Sequence, residues 1–386
     1  MTDVRDHDPS PRVLIACLAS VFVAVGTTIA SIGPALPEFA RAAGLEVSAI
    51  GILFSALFAG MLASQVTAGV VLERIGTRAM ILAALALFAV GSFGVAVSAR
   101  LALLLPSSAV LGAGYGLTTV TINLVASRLL PHRPAFVLNL INVLYGFGAV
   151  CGPLIASALL RAGGEARWVP AVGGAALLLI LPWAWQVLPI DAGSNTRSGG
   201  ATKQVLSPPL LLIGLLVFLY GGVEAGFGGW AATYVERTLG LPPDQAALVT
   251  SAYWFAYVSG RVASTALALK MGPGRVLHLA LAALTASGAL LLLGVGQPVV
   301  TTVAIVALGA ATGPIWPSMF GVVAGRFADR AAVAVSTVAS LGSVGAIILP
   351  WAMGLTLPIA GGRILAATPV VLALGMWASF RASERR

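Results

Sequence analysis

The segment YGGVEAGFGGWAATY, residues 220–234, places one carboxylate, Glu224, inside an apolar run that begins at Pro208. A second ionisable residue, Arg261, lies within the next apolar run. An ionisable group in the middle of a bilayer costs about 2.5–3.5 kcal/mol on insertion scales, so a function is the default explanation for it. Two interpretations stay open. Glu224 either forms a structural ion pair with Arg261 or takes part in solute binding and proton transfer.

Amides and aromatic rings in the other apolar runs suit a solute that carries hydroxyl groups. Amides both donate and accept hydrogen bonds, and rings can cover the apolar face of a sugar. The amide candidates are Gln65, Asn123, Asn139 and Asn142, and the ring candidates are Tyr145, Trp230, Tyr253, Trp254 and Trp316. Asn139 and Asn142 lie three residues apart and should share a helix face. The alternatives are amide contacts between helices and tryptophans at the membrane interface.

Composition indicates what surrounds these residues. Of 386 residues, 59% are hydrophobic and 9% are charged, whereas globular proteins have about 25% charged residues. A soluble fold of this length cannot bury so much apolar surface, so we predict a polytopic membrane protein. The net charge of +9 fits loops at a membrane surface, because no basic stripe with interleaved aromatic residues indicates nucleic-acid binding.

Twelve membrane spans are predicted, because each needs about 20 mostly apolar residues. They cover about 12–37, 47–72, 79–98, 102–129, 135–160, 168–189, 208–235, 245–269, 275–296, 299–325, 332–358 and 363–380. The segment between spans six and seven is rich in Gly, Ser and Thr and is predicted to be a flexible linker. The chain therefore divides into an N-terminal six-helix bundle (1–189), a cytoplasmic linker (190–207) and a C-terminal bundle (208–386).

The basic residues predict the orientation. Fifteen of the 22 Lys and Arg residues fall on the side of the termini, six fall on the other side, and Arg261 lies within a span. Cytoplasmic loops carry the excess of Lys and Arg. We therefore expect an integral protein of the cytoplasmic (inner) membrane with both termini in the cytoplasm.

The two predicted bundles are copies of each other. At an offset of 196–197 residues, Gly33 falls on Gly229, and Gly112 and Gly148 fall on Gly309 and Gly345. The offset stays constant across five spans, which chance matches among glycines do not explain. Two six-span repeats joined by a loop are typical of secondary transporters that work by alternating access.

The segment GVVLERIGTR, between spans two and three, resembles the signature of the major facilitator superfamily. With the twelve spans and the repeat, the resemblance covers nearly the whole chain and implies that family's all-α fold of two pseudo-symmetric bundles. A set of residues around the signature is predicted to form a gate between the bundles, with Glu73 pairing Arg128 or Arg133. This set is Gly69, Glu73, Arg74, Gly76, Arg78, Arg128 and Arg133. The alternative is a set of solvated loop charges, which explains Arg78 well.

Two segments resemble the fucose:proton symporter branch, whose members move monosaccharides. They are LNLINVLYGFGAVCGPLI in span five and GGVEAGFGGWAATY in span seven. Proton symporters of that kind use carboxylates in the first and fourth spans, where this chain has Thr28 and Asn123. Proton coupling would therefore depend on Glu224 alone, and sodium coupling, uniport and export stay open.

The prediction is a secondary active transporter for a small neutral hydroxylated solute. The alternatives are an exporter of drugs or amphiphiles, a lipid flippase, and a receptor of the same fold that does not transport. Its partners would be the solute, the bilayer and protons or sodium, with a single chain as the expected unit and no nucleic acid. No cofactor or enzymatic activity is expected, because the chain has no H-E-x-x-H, G-x-S-x-G or phosphate-binding loop motif.

Overall fold

The computed structural model describes residues 10–129, 134–188, 207–359 and 362–385, which are almost entirely helical. The α-helices of these residues are α1 (Pro11–Ala43), α2 (Ile52–Val97), α3 (Leu101–Leu129), α4 (Pro134–Arg161), α5 (Val169–Val187), α6 (Pro208–Gly221), α7 (Gly228–Leu239), α8 (Pro243–Met271), α9 (Pro273–Leu293), α10 (Pro298–Thr312), α11 (Ile315–Arg326), α12 (Ala331–Thr356) and α13 (Arg363–Glu384). A π-helix, Gly222–Phe227, joins α6 to α7. Only helices and closed barrels satisfy every backbone polar group inside a bilayer, which explains this fold. The prediction of an all-α membrane protein is confirmed.

Proline and glycine determine where several helices begin and end. Six helices of the described chain, α1, α4, α6, α8, α9 and α10, begin with proline. The fixed φ of proline suits the first helical turn, and its missing N–H is not needed there. Gly44, where φ is 67°, caps the C-terminal end of α1. In this left-handed conformation the N–H of Leu45 donates to Ala40 O at 2.9 Å, which is the usual glycine-terminated helix end.

Ten helical segments of the described chain are long and apolar enough to cross a membrane, compared with twelve predicted spans. One of the ten, Ala49–Val97, contains two predicted spans. It breaks at Gly76, where φ is 75° and ψ is 169°, and α2 alone is about 70 Å long, more than twice the thickness of the hydrocarbon core. The second difference concerns α8, a 29-residue helix that coincides with predicted span eight. It is not one of the ten segments, because its charged residues lower its mean hydropathy.

We call helices α1–α5 the N-terminal group and helices α6–α13 the C-terminal group. Equivalent glycines make equivalent contacts in the two groups. A Cβ atom on Gly112 of α3 would collide with the carbonyl of Leu57 on α2, and one on Gly309 of α10 would collide with that of Tyr253 on α8. The sequence repeat therefore corresponds to a repeated packing. Of the predicted linker, residues 190–206 lie outside the described residues.

The two groups touch near one face of the bundle. We call the face where α1 ends, at Ala43, the distal face and the face where α1 begins, at Pro11, the terminal face. On the distal face Arg161 Nε lies 2.8 Å from Asp244 Oδ2. Deeper in, the hydroxyl of Ser251 donates to Val150 O at 2.9 Å. Both contacts join α4 to α8, so these helices close the distal side.

A glycine pair closes the centre of the same side. A Cβ on Gly33 of α1 would lie 2.7 Å from the carbonyl oxygen of Gly229 on α7. These are the two glycines that the sequence repeat matches to each other. Backbone therefore meets backbone here, and only glycine permits that approach.

Candidate functional site

A cavity of about 340 Å³ lies between the two groups and is lined by residues of both. Nine aromatic residues line it: Phe22, Phe54, Phe58, Tyr115 and Tyr145 from the N-terminal group, and Tyr220, Trp254, Trp316 and Phe320 from the C-terminal group. Gln65, Thr119, Asn123, Asn142 and Ser343 add polar groups, and Glu224 and Arg261 are the charged residues of the lining. A cavity of 300–1,000 Å³ with mostly apolar walls and a few convergent polar groups is typical of small-molecule sites.

Eight of the predicted residues line this cavity. They are Gln65, Asn123, Asn142, Tyr145, Glu224, Trp254, Arg261 and Trp316. They come from α2, α3, α4, the π-helix, α8 and α11. Residues far apart in the sequence are therefore brought together at one place.

Three predicted residues lie outside the lining. The indole of Trp230 is fully buried and donates to Pro350 O at 2.7 Å, so it supports packing between α7 and α12. Tyr253 is fully buried too, and its hydroxyl donates to Val223 O at 3.4 Å. Asn139 is exposed. Positions three apart differ by about 60° around a helix, and this rotation moves Asn139 away from the cavity that Asn142 lines.

The π-helix Gly222–Phe227 contains Glu224. Here the helix is widened by one residue per turn without being broken. Such π-turns occur mostly as single insertions and frequently at functional sites. A π-turn also rotates the residues that follow it around the helix axis, relative to their positions in an α-helix. Glu224, Gly228 and Gly229 all line the cavity.

Tyr257, on α8, connects Glu224 to Arg261. Its hydroxyl donates to Glu224 Oε1, accepts from Arg261 Nη2 and lies 3.1 Å from the hydroxyl of Tyr220. Arg261 Nη2 is itself 3.8 Å from Glu224 Oε1. The guanidinium also lies over the Tyr257 ring, 4.6 Å from its centroid. The carboxylate and the guanidinium therefore belong to one network that a tyrosine holds together.

Tyr257 was not predicted as a site residue, although the sequence contains a signal for it. It precedes Arg261 by four residues, and residues four apart on a helix are neighbours. Tyr115 was not predicted either. Its ring stacks on the ring of Tyr145, with centroids 6.2 Å apart and the two hydroxyls 3.1 Å apart. Tyr220 was missed as well.

Tyr220 stacks on the ring of Trp316 in the C-terminal group, with centroids 5.7 Å apart. The cavity therefore has a stacked aromatic pair on each side, because Tyr115 and Tyr145 belong to the N-terminal group. Their hydroxyl and indole groups make these walls partly polar. A solute with both apolar and hydroxyl-bearing surfaces fits such walls.

The predicted gate residues that the structure describes occupy the terminal face. Glu73 and Arg74 are exposed, and a Cβ on Gly69 would meet open space. Arg78 donates to Trp185 O and lies 4.4 Å from the centre of that ring. Because both residues belong to the N-terminal group, Arg78 joins α2 to α5 and does not link the groups. Arg128 lies in the last turn of α3, and Arg133 lies outside the described residues.

Among the described residues, no group of three His, Cys, Asp or Glu side chains is placed to hold a metal ion.

Comparison with known proteins identifies relatives of similar length. A model of the Major Facilitator Superfamily matches residues 16–350. The chain is 25% identical over 379 residues to the 3-(3-hydroxy-phenyl)propionate transporter of Escherichia coli (strain K12), which covers 91% of this chain and 89% of that protein.

Solved structures share the fold. The D-xylose-proton symporter superimposes with a TM-score of 0.79 at 16% identity, covering 97% of this chain and 99% of that one. The E. coli fucose:proton symporter gives a TM-score of 0.68 at 19% identity over 98% of this chain and 99% of that one. At these identities the similarity shows a shared architecture.

Proposed function

The chain belongs to the Major Facilitator Superfamily, and from this premise we propose that it moves a small neutral hydroxylated solute, such as a monosaccharide, by alternating access. The family consists of secondary membrane transporters, not enzymes. The observation that carries the proposal is the cavity between the two groups, where amides from α2, α3 and α4 face aromatic rings from α8 and α11. The amides can form hydrogen bonds with hydroxyl groups on one side of a solute, and the rings can pack against its apolar face on the other side.

Asn142 is the best-placed amide for such a solute. Its Nδ2 donates to Leu138 O at 2.8 Å, which fixes the side chain and leaves its carbonyl oxygen to accept from a hydroxyl. The solute should also contact Gln65 and Asn123, which line the same cavity. The resemblance of the fifth and seventh spans to the fucose:proton symporter branch supports the same class of solute.

The contacts between the groups support a particular state. If the basic terminal face is cytoplasmic, as the bias of Lys and Arg predicts, the distal contacts close the extracytoplasmic side. The cavity then belongs to the inward-facing state, and Glu73 and Arg74 belong to a gate that is open in this state and closes in the other. Residues 1–189 and 208–386 would be the two bundles that rock about the cavity.

Coupling to an ion would depend on Glu224. It is the one carboxylate among the lining residues that the structure describes, and the Tyr257 and Arg261 network reaches it directly. We propose that this carboxylate takes up and releases the coupling proton. A sodium gradient or uniport is the alternative, and transport driven separately by pH and sodium gradients distinguishes them.

A flat aromatic solute is the second candidate. Nine aromatic residues line the cavity, and one relative is a transporter of 3-(3-hydroxy-phenyl)propionate. Arg261 supplies a cation that a carboxylate of such a solute would need. A drug or amphiphile exporter shares the preference for rings but needs no ordered amides.

A ligand screen on the purified protein separates these candidates. L-Fucose, D-xylose, uridine and 3-(3-hydroxyphenyl)propionate would each be titrated in a thermal-unfolding assay, because a ligand of the folded state raises its stability in proportion to log concentration above Kd. We expect a saturable rise with a monosaccharide. Asn142→Ala should abolish it, and Asn139→Ala, which changes the same residue type outside the cavity, should preserve it. Stabilisation by the aromatic acid alone would replace the proposal with the second candidate.

A further inference from the structure

Glu224 and Arg261 approach each other without forming a direct hydrogen bond. Their closest charged atoms, Arg261 Nη2 and Glu224 Oε1, lie 3.8 Å apart. A carboxylate and a guanidinium that meet directly often form two parallel hydrogen bonds with N···O distances of about 2.7–2.9 Å. Here the hydroxyl of Tyr257 lies between them, donating to Glu224 Oε1 and accepting from Arg261 Nη2. Each charged group therefore keeps hydrogen-bonding atoms that the other does not occupy.

The atoms left over are accessible from the cavity. Both side chains line it, and those of Glu224 and Arg261 are 32% and 17% exposed. Within the part of the chain that the structure describes, Glu224 Oε2 and Arg261 Nη1 have no hydrogen-bond partner, and neither atom is buried. The cavity wall therefore presents an open carboxylate oxygen next to an open guanidinium nitrogen.

The C-terminal group holds this pair of charged groups in place from behind. Tyr257 is buried, and its hydroxyl lies 3.1 Å from that of Tyr220. The guanidinium of Arg261 lies over the Tyr257 ring, 4.6 Å from its centroid, and its Nε donates to Gly313 O at 3.4 Å. Groups that are already ordered lose little conformational entropy when a ligand binds. The open atoms therefore form a preorganised contact.

The chemistry of the two groups favours a neutral ligand with two hydroxyls. An ionised carboxylate only accepts hydrogen bonds, and a guanidinium only donates them. Because their charges are opposite and adjacent, an anion is attracted by Arg261 but repelled by Glu224, and a cation the reverse. A hydroxyl can donate or accept. Two neighbouring hydroxyls therefore satisfy both groups, one by donating to the carboxylate and the other by accepting from the guanidinium.

We propose that Glu224 Oε2 and Arg261 Nη1 determine specificity by binding a vicinal diol of the transported solute. The inference rests on the proposed function of the cavity and narrows the solute class to molecules with two adjacent hydroxyls. The two hydroxyls are not equivalent, because the one that faces Glu224 must donate and the one that faces Arg261 must accept. Sites built to bond a polar group reject analogues that lack it far more strongly than apolar pockets reject a change of size.

The first test uses the wild type and needs no variant. L-Fucose, D-xylose and the monodeoxy and deoxyfluoro analogues of the sugar that binds would be titrated in thermal unfolding at one pH. Fluorine accepts a hydrogen bond weakly and cannot donate one. At the ring position that faces Glu224, both analogues should bind about 10- to 100-fold more weakly than the parent. At the adjacent position, which faces Arg261, the deoxy analogue should bind weakly and the deoxyfluoro analogue should bind better than it. A sugar that binds without this pattern at two adjacent positions refutes the diol contact and leaves the proposed function standing.

The second test uses Glu224→Gln, which keeps an oxygen for Tyr257 and places an amide nitrogen where Oε2 lies. That nitrogen donates, so a fluorine at the position facing it no longer lacks a needed proton. The variant should bind this deoxyfluoro analogue nearly as well as it binds the parent. Glu46→Gln makes the same replacement at an exposed residue outside the cavity and should discriminate as the wild type does.

Two results would overturn the proposal in different ways. If Glu224→Gln rejects the deoxyfluoro analogue as strongly as the wild type does, the carboxylate does not contact the solute, and the diol contact alone is wrong. If neither sugar binds the wild type, the proposed solute class is wrong and the diol contact is wrong with it. Saturable stabilisation by L-alanine in that case would show that the two charged groups bind a zwitterion.

Discussion

Replacing Glu224 with glutamine tests whether the carboxylate balances Arg261. The two charged atoms lie 3.8 Å apart. At an effective dielectric constant of about 20, unit charges at this distance attract by about 4 kcal/mol. The side chains of Arg261 and Glu224 are 17% and 32% exposed, so solvent screening reduces this figure. Exposed pairs contribute less than about 1 kcal/mol, and breaking a buried pair costs about 3–5 kcal/mol.

We therefore expect Glu224→Gln to destabilise the protein by about 2 kcal/mol, between these limits. Glutamine keeps an oxygen that accepts from Tyr257, so the variant removes the charge and preserves the hydrogen bond. Arg261 is left without its counter-charge. Adding Arg261→Met in the same chain removes the stranded cation and should restore the melting temperature.

Thermal unfolding of the single and double variants measures this effect. Glu73→Gln is the matched control, because Glu73 is exposed and its replacement should change stability by less than about 0.5 kcal/mol. The same Glu224→Gln protein then reports on coupling. If Glu224 carries the proton, the variant exchanges labelled solute across the membrane but no longer accumulates it. An unchanged melting temperature together with unimpaired uphill transport refutes both roles of Glu224.

Two further predictions concern the closed distal side and the gate. Gly33→Ala places a Cβ 2.7 Å from Gly229 O, and overpacking of this kind costs about 1–3 kcal/mol in the distal-closed state alone. The state in which the distal side is open should therefore become more populated. A cysteine introduced on the distal face should then react faster with a membrane-impermeant thiol reagent. Gly325→Ala, whose Cβ meets open space, should leave that rate unchanged. Glu73→Ala should shift the balance of the two states and leave solute affinity in a protein locked in one state nearly intact. A large loss of affinity in that locked protein would assign Glu73 to the binding site.

Composition and repeats predicted the fold well because the bilayer permits few alternatives. The glycines at 112 and 309 were matched by sequence alone, and the structure places both at the same kind of helix contact. Depth in the membrane follows from position along a span, which is why Glu224 and Arg261 were identified.

The direction in which each side chain points around its helix was harder to predict. Trp230 and Trp254 occupy neighbouring helices and look alike in sequence, yet one donates to a carbonyl and the other lines the cavity. The π-helix contributes to this, because the extra residue in its turn shifts every later side chain relative to an α-helical projection. Tyr257 was missed because its role depends on two partners from different helices, Glu224 and Tyr220.

Counterflow in proteoliposomes tests most directly whether this cavity moves a hydroxylated solute by alternating access. Vesicles loaded with an excess of unlabelled L-fucose or D-xylose would be diluted into a trace of the labelled sugar. We expect the internal concentration of label to rise transiently above the external concentration without any ion gradient, because one site alternately faces each side. Asn142→Ala should remove this overshoot. Absence of an overshoot with both sugars, or an overshoot that Asn142→Ala leaves intact, would contradict the account.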